Sequence, residues 1–294
     1  MSEEVGHQWS DVGVLRRSAR SAGPIARPVL VFYLLVVLVL MILETFLVYP
    51  VPPVERGDWH PVGLAHEDVR FESADGTKLH GWFVRHPHPK RAILYCHGNG
   101  EQVGDNADLV AHLRDVLQAS VFIFDYRGYG HSEGRPDEPG CVADGRAALD
   151  WLANKMGIPP QQIVLMGRSL GSGVAVALAA ETGSAALVLE NTFPTMPDVA
   201  AVHFPWLPVR WLMDNRYDSV ARIQHYHGPL FQIHGTSDQI IPIALGRQLF
   251  DAAPSHDKQF IAIAGRGHND PWPASYYVEL AKFLNRAAAD ATHL

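Results

Sequence analysis

Between residues 91 and 287, short apolar runs alternate with stretches of helical spacing. That alternation narrows the possible folds more than any other feature of the chain. The apolar runs fall at 91–96, 120–124, 162–166, 185–189, 230–233 and 259–264. Helical spacing fills 103–117, 141–155 from a start near Pro139, and 272–287. A strand that is apolar along its whole length is buried on both faces, as in a parallel sheet covered by helices. Two further runs, 69–73 and 78–85, flank Asp75-Gly76. Such a pair supplies the positive φ of a tight turn, so an antiparallel hairpin is expected at one edge. The expected fold class is α/β, a mostly parallel doubly wound sheet with helices on both faces.

After residue 65 no Ser/Gly linker, repeat or long charge run divides the 294-residue chain, so 65–294 is expected to be one domain. The net charge of −7 argues against nucleic acid as a partner, because Lys and Arg are neither in excess nor clustered. The two cysteines, Cys96 and Cys141, are too few for a disulfide framework. Cys96 lies in an apolar run, where a thiol packs as a small hydrophobe.

Residues 29–43 form an unbroken apolar run; Glu44 and Thr45 interrupt it, 46–49 resume it, and Pro50 closes it. About twenty residues at roughly 1.5 Å each span a bilayer core of about 30 Å. One transmembrane helix over 29–49 is therefore expected ahead of the domain, with the Glu44 carboxylate reaching the interface near its far end. Arg16, Arg17, Arg20 and Arg27 precede the run, whereas Glu55 and Asp58 follow it with only Arg56 between. Residues 1–28 are thus expected in the cytoplasm and the domain on the extracytoplasmic side. The Tyr-Pro-Val-Pro-Pro that follows is a poor signal-peptide cleavage site. Residues 50–64, with Pro50, Pro52 and Pro53, read as a stiff spacer.

Gly167-Arg168-Ser169-Leu170-Gly171 lies between the 163–166 apolar run and a small-residue helix at 172–180. In that setting G-x-S-x-G is a sharp strand-to-helix turn that exposes the serine hydroxyl, and its glycines let the two backbones approach. A serine hydroxyl needs a base, and the base needs an orienting acid. Asp238 follows the 230–233 strand in His234-Gly235-Thr236-Ser237-Asp238 and fits the acid; the plain alternative is a helix N-cap near Ile243. Asp270 is the rival acid, but it sits two residues from the candidate base. That base is His268, after the 259–264 strand in Gly265-Arg266-Gly267-His268.

Two backbone amides are expected to face the developing oxyanion. One is that of Leu170, after the nucleophile; the other is that of Asn99, with Gly98 the alternative, in the loop His97-Gly98-Asn99-Gly100. His97 is read as packing under that loop. Among the sixteen histidines, the pairs His86/His88 and His225/His227 have no Cys or carboxylate grouping beside them, so no metal site is expected. The stretch 191–224 breaks the alternation and is rich in Pro and aromatics, including Phe193, Phe204, Trp206, Trp211 and Tyr217. It reads as a lid-like insert beside the nucleophile.

The motifs Tyr95-Cys96-His97-Gly98-Asn99-Gly100, Asp125-Tyr126-Arg127-Gly128-Tyr129-Gly130 with Ser132 and Gly134, and Gly167 to Gly171 resemble those of the alpha/beta hydrolase superfamily. The likeness is greatest to its membrane-anchored branch, the bud-emergence-type and depalmitoylase-like hydrolase domain proteins. It continues through 191–219, 234–242 and Gly267-His268, and covers 65–285. The resemblance implies an alpha/beta-hydrolase fold with Ser169 as nucleophile, His268 as base and Asp238 as acid. It also implies a structural role for 125–130, with Arg127 paired to nearby carboxylates, and agrees with a single N-terminal anchor. One departure is Glu101-Gln102, polar where family members often carry small or apolar residues.

The function expected is a membrane-anchored serine hydrolase cleaving carboxylic esters or thioesters through an acyl-enzyme, with no cofactor and a small-molecule or lipid-like acyl substrate. A peptidase or amidase with the same triad is the alternative within enzymes. A non-catalytic tethered binding protein is the alternative outside them.

Overall fold

The computed structural model describes residues 23–291, with side chains from 26 to 289. It divides into two compact units, Met1–Ile42 and Leu43–Leu294. The segment expected over 1–28 lies largely outside the described residues. In the first unit, helix α1 (Gly23–Ile42) contains Pro28 and exposes apolar side chains, among them Phe32, Leu35, Val39 and Ile42. Among the described residues no helix is long and apolar enough to cross a membrane.

The second unit corrects the reading of 29–49 as one span. The chain turns at Leu43, and Glu44–Val48 form a separate short helix, α2, at the start of this unit. Glu44, which interrupts the apolar run, is tied into this unit: its carboxylate accepts hydrogen bonds from the amides of Asp214, at 3.1 Å, and Asn215, at 2.8 Å. Residues 50–64 are not a free spacer either. Pro52 and Leu64 are buried, Trp59 Nε1 donates to the Val54 carbonyl at 2.8 Å, and the Asp58 amide donates to the Gly104 carbonyl at 3.0 Å. The compact unit therefore begins at Leu43 rather than at residue 65.

Eight strands build the sheet: β1 (Glu67–Glu72), β2 (Lys78–Val84), β3 (Arg91–Cys96), β4 (Ala119–Asp125), β5 (Ile163–Arg168), β6 (Ala186–Glu190), β7 (Leu230–Gly235) and β8 (Lys258–Ile263). Their order is β1-β2-β4-β3-β5-β6-β7-β8; β1, β2 and β4 pair antiparallel, and all pairs from β4–β3 onward are parallel. The expected hairpin forms the edge, with Gly76 at φ 84° in its turn. The helices are α3 (Ala107–Leu117), α4 (Glu138–Met156), α5 (Leu170–Thr182), α6 (Met196–His203), α7 (Val209–Leu212), α8 (Ser219–Arg222), α9 (Ile243–Ala252) and α10 (Ala274–Ala291).

Strand alternation divides the buried residues between two cores. Leu94, Cys96, Phe122 and Leu165 face α4 and α5, whose Leu149, Leu152, Val174 and Leu178 complete one core. Ile93, Tyr95, Ile123 and Met166 face the opposite way, toward Leu113 of α3 and Leu280 and Phe283 of α10. This is the two-sided cover that fully apolar strands require. The helical pattern at 103–117 resolves into a 3-10 turn, Val103–Asp105, and then α3, because a capping box of Gln102 and Asp105 closes the turn first.

The turn after β4 is held by buried charge. Asp125 Oδ1 accepts from the Val103 amide at 2.8 Å, and Oδ2 faces His80 Nδ1 at 2.9 Å. Arg127 Nη2 reaches Asp144 Oδ1 at 2.7 Å and its Nη1 reaches Asp75 Oδ2 at 2.9 Å, the carboxylate pairing anticipated for it. Asp144 is fully buried. Asp144→Ala leaves the guanidinium without its main partner, and a loss of about 3–5 kcal/mol of stability is expected in urea unfolding.

Candidate active site

Three loops at the C-terminal ends of parallel strands converge. Ser169 follows β5, Asp238 follows β7, and His268 follows β8. Ser169 sits at φ 51°, ψ −122°, a conformation that costs a residue with a Cβ roughly 1–3 kcal/mol. The surrounding structure enforces it. The Ser169 amide donates to the Glu190 carbonyl at 2.9 Å, and Ser172 Oγ donates to the Ser169 carbonyl at 2.5 Å. The glycines are required as expected: a Cβ on Gly171 would strike the carbonyls of Cys96 and His97, and one on Gly167 the carbonyl of Gly171.

His268 Nε2 lies 3.0 Å from Ser169 Oγ, and Nδ1 lies 2.7 Å from Asp238 Oδ2. A carboxylate facing Nδ1 keeps the proton there, so Nε2 accepts from the serine hydroxyl. Asp238 is not a helix cap. Its Oδ1 accepts from the amides of Ile240 at 2.9 Å and Ile241 at 2.8 Å, leaving Oδ2 for the imidazole. Burial alone would raise its pKa; hydrogen bonding from His234 and His268, the charge of His268 and the Ile241 amide together hold it well below the ordinary carboxylate range. Asp270, the rival, instead accepts from the Gly267 amide at 2.8 Å.

The Gly98 amide donates to Glu101 Oε2 at 3.2 Å, which engages the alternative oxyanion donor and favours Asn99. Asn99 is clamped through its side chain: Oδ1 accepts from the Tyr129 hydroxyl at 2.6 Å, and Nδ2 donates to the Val48 carbonyl. Leu170 is the first residue of α5, where an amide has no partner within its own helix. His97 packs under the loop, against the rings of Tyr126 and Tyr129.

A model of the alpha/beta hydrolase fold matches residues 91–222. "Uncharacterized protein Rv2307c" of Mycobacterium tuberculosis is 43% identical over 209 residues, covering 70% of this chain and 74% of that protein. The chain belongs to the alpha/beta hydrolase family. "Alpha/beta hydrolase domain-containing protein WAV2" of Arabidopsis thaliana is 28% identical over 264 residues, covering 82% of this chain and 84% of its own. The Pyrococcus furiosus esterase Pf2001 shares the fold, with a TM-score of 0.65 and 20% identity over 78% of this chain and 94% of that one.

Three residues that sequence reasoning left without a role brace the site of this hydrolase. Arg168 Nη2 donates to the His268 carbonyl at 2.8 Å, and Asn191 Nδ2 donates to the same oxygen at 2.9 Å. Asn191 is at φ 46°, which Asn tolerates better than most residues, and its Oδ1 accepts from the Gly235 amide at 3.1 Å. Arg168 Nη1 also pairs with Glu101 Oε1 at 3.2 Å, so Glu101 is polar because it joins the elbow to the Gly98 amide. Burial works against the Arg168 charge, but Glu101 and Glu190 keep its pKa above the ordinary value.

The 191–224 stretch carries α6, α7 and α8. Phe193 and Tyr217 are buried in the core, whereas Phe204, Trp206 and Trp211 are exposed. His203 Nε2 reaches the Ile240 carbonyl at 2.8 Å, which ties the insert to the Asp238 loop.

Proposed function

We propose that this hydrolase is a membrane-attached serine enzyme that cleaves carboxylic ester or thioester bonds through an acyl-enzyme. One observation carries the reading: a chain of hydrogen bonds runs from a buried carboxylate through His268 to a serine held at positive φ. Ser169 Oγ attacks the carbonyl carbon while His268 Nε2 takes its proton. The Leu170 and Asn99 amides face the oxygen on which charge develops; losing one such donor costs about 3 kcal/mol in the barrier. His268 then protonates the departing alcohol or thiol. Finally it deprotonates the water that frees the acid. The scheme needs no cofactor. The esterase-like fold supports an ester substrate, and an acyl group of small-molecule or lipid type suits attachment to a membrane.

Attachment is assigned to α1, whose apolar side chains are exposed. The chain is expected to stay with membranes through a high-salt wash, which strips proteins held by charge alone. Release into the wash would remove the attachment.

A fluorophosphonate probe tests the chemistry. Wild type is expected to label, and Ser169→Ala not to; equal labelling would overturn the assignment. Short-chain p-nitrophenyl esters are expected to be hydrolysed by wild type and not by Ser169→Ala.

A further inference from the structure

We propose that residues 44–58 form a strap that positions the oxyanion loop, with Tyr49 as the positioning residue that fastens it. The inference rests on the serine-hydrolase reading above. The strap grips the 98–102 loop at three successive points. The Val48 carbonyl accepts from Asn99 Nδ2, Arg56 Nη2 donates to the Gly100 carbonyl at 2.6 Å, and Gln102 Nε2 donates to the Pro53 carbonyl at 3.3 Å. The acceptor side of Asn99 is committed as well, because its Oδ1 takes the Tyr129 hydroxyl at 2.6 Å and the Gly100 amide at 3.1 Å. The backbone amide of Asn99 therefore points where these bonds hold it, and one of them belongs to the strap.

The strap is itself anchored far along the chain. Glu44 Oε1 collects the Asn215 amide at 2.8 Å and Asn215 Nδ2 at 2.9 Å. Tyr49, only 2% exposed, donates from its hydroxyl to Asn215 Oδ1 at 2.8 Å and meets the Tyr217 hydroxyl at 3.0 Å. Tyr49 follows Val48 directly, so its phenol determines where the Val48 carbonyl stands relative to Asn99. Tyr49 touches no reacting atom in this arrangement; it acts through Asn99.

The test uses the full chain in detergent, with p-nitrophenyl butyrate as substrate and active sites counted by fluorophosphonate titration of Ser169. Tyr49→Phe is expected to lower kcat per titrated site roughly tenfold with KM unchanged. It is expected to weaken a trifluoromethyl ketone, which forms a tetrahedral adduct, by a similar factor. A purely structural role would lower the titrated fraction and leave kcat per site alone. Asn99→Ala is expected to lose as much, and the double variant to be no slower than Asn99→Ala, because both remove the same clamp. If Tyr49→Phe fails to fold, Arg56→Gln carries the test, since the Arg56 side chain is 47% exposed and its removal leaves the core intact. Unchanged kcat per site, or losses that multiply in the double variant, would overturn the strap. A wild type that neither labels at Ser169 nor turns over would overturn the hydrolase reading on which it rests.

Discussion

Ser169→Ala is expected to lower ester hydrolysis by at least about four orders of magnitude while leaving the fold intact. The two halves of that expectation have separate causes. The backbone at φ 51° strains any residue with a Cβ, so alanine bears the same strain as serine and the elbow keeps its shape. The bonds that enforce it, from the Ser169 amide to Glu190 and from Ser172 to the Ser169 carbonyl, involve backbone atoms that alanine retains. Only Oγ and its hydrogen bond to His268 disappear. Residual turnover would come from the two amides and from substrate binding. Steady-state rates and thermal melting of the purified variant check both halves. A variant that keeps more than about a hundredth of the activity would remove Ser169 from the chemistry.

The second large effect is expected at Asp238→Asn, a loss of about four orders of magnitude in kcat with little structural change. Asp238 Oδ1 is held by the Ile240 and Ile241 amides, which only an acceptor can satisfy. In the variant the amide oxygen therefore stays on that side and the NH2 group turns to His268 Nδ1. An NH2 there needs an acceptor, so the ring shifts its proton to Nε2 and can no longer take the serine proton. The same change alters the acid limb of stability. A carboxyl depressed below its unfolded value contributes stability above about pH 4, and that contribution is lost as pH falls toward the folded value. Urea unfolding of Asp238→Asn is therefore expected to depend less on pH below about 4 than wild type does.

The sheet and the three converging loops were legible for the same reason. Strands buried on both faces leave runs such as 163–166 and 186–189 with no polar interruption, and Ser169, Asp238 and His268 each lie in a loop that follows a strand of the parallel sheet. Asp75-Gly76 announced its hairpin through a conformation that few other pairs supply. The strap was misread because its polar residues look like the ragged end of an apolar run. What defines Tyr49 is Asn215, 166 positions away, and nothing near Tyr49 announces that partner. Arg168 and Asn191 were missed on the same ground, since both act on the carbonyl of His268, an atom that every residue possesses. Glu101 looked like a departure from pattern until Arg168 was seen beside it.

The compact unit opens at Leu43, directly behind α1 and directly ahead of the strap. The place of a single proteolytic cut therefore carries opposite consequences. Cleavage at 42–43 would leave the compact unit whole, with residues 44–58 in place. Cleavage ten residues later would separate Glu44, Val48 and Tyr49 from a domain that keeps the Ser169 turn but loses the carbonyl to which Asn99 Nδ2 donates.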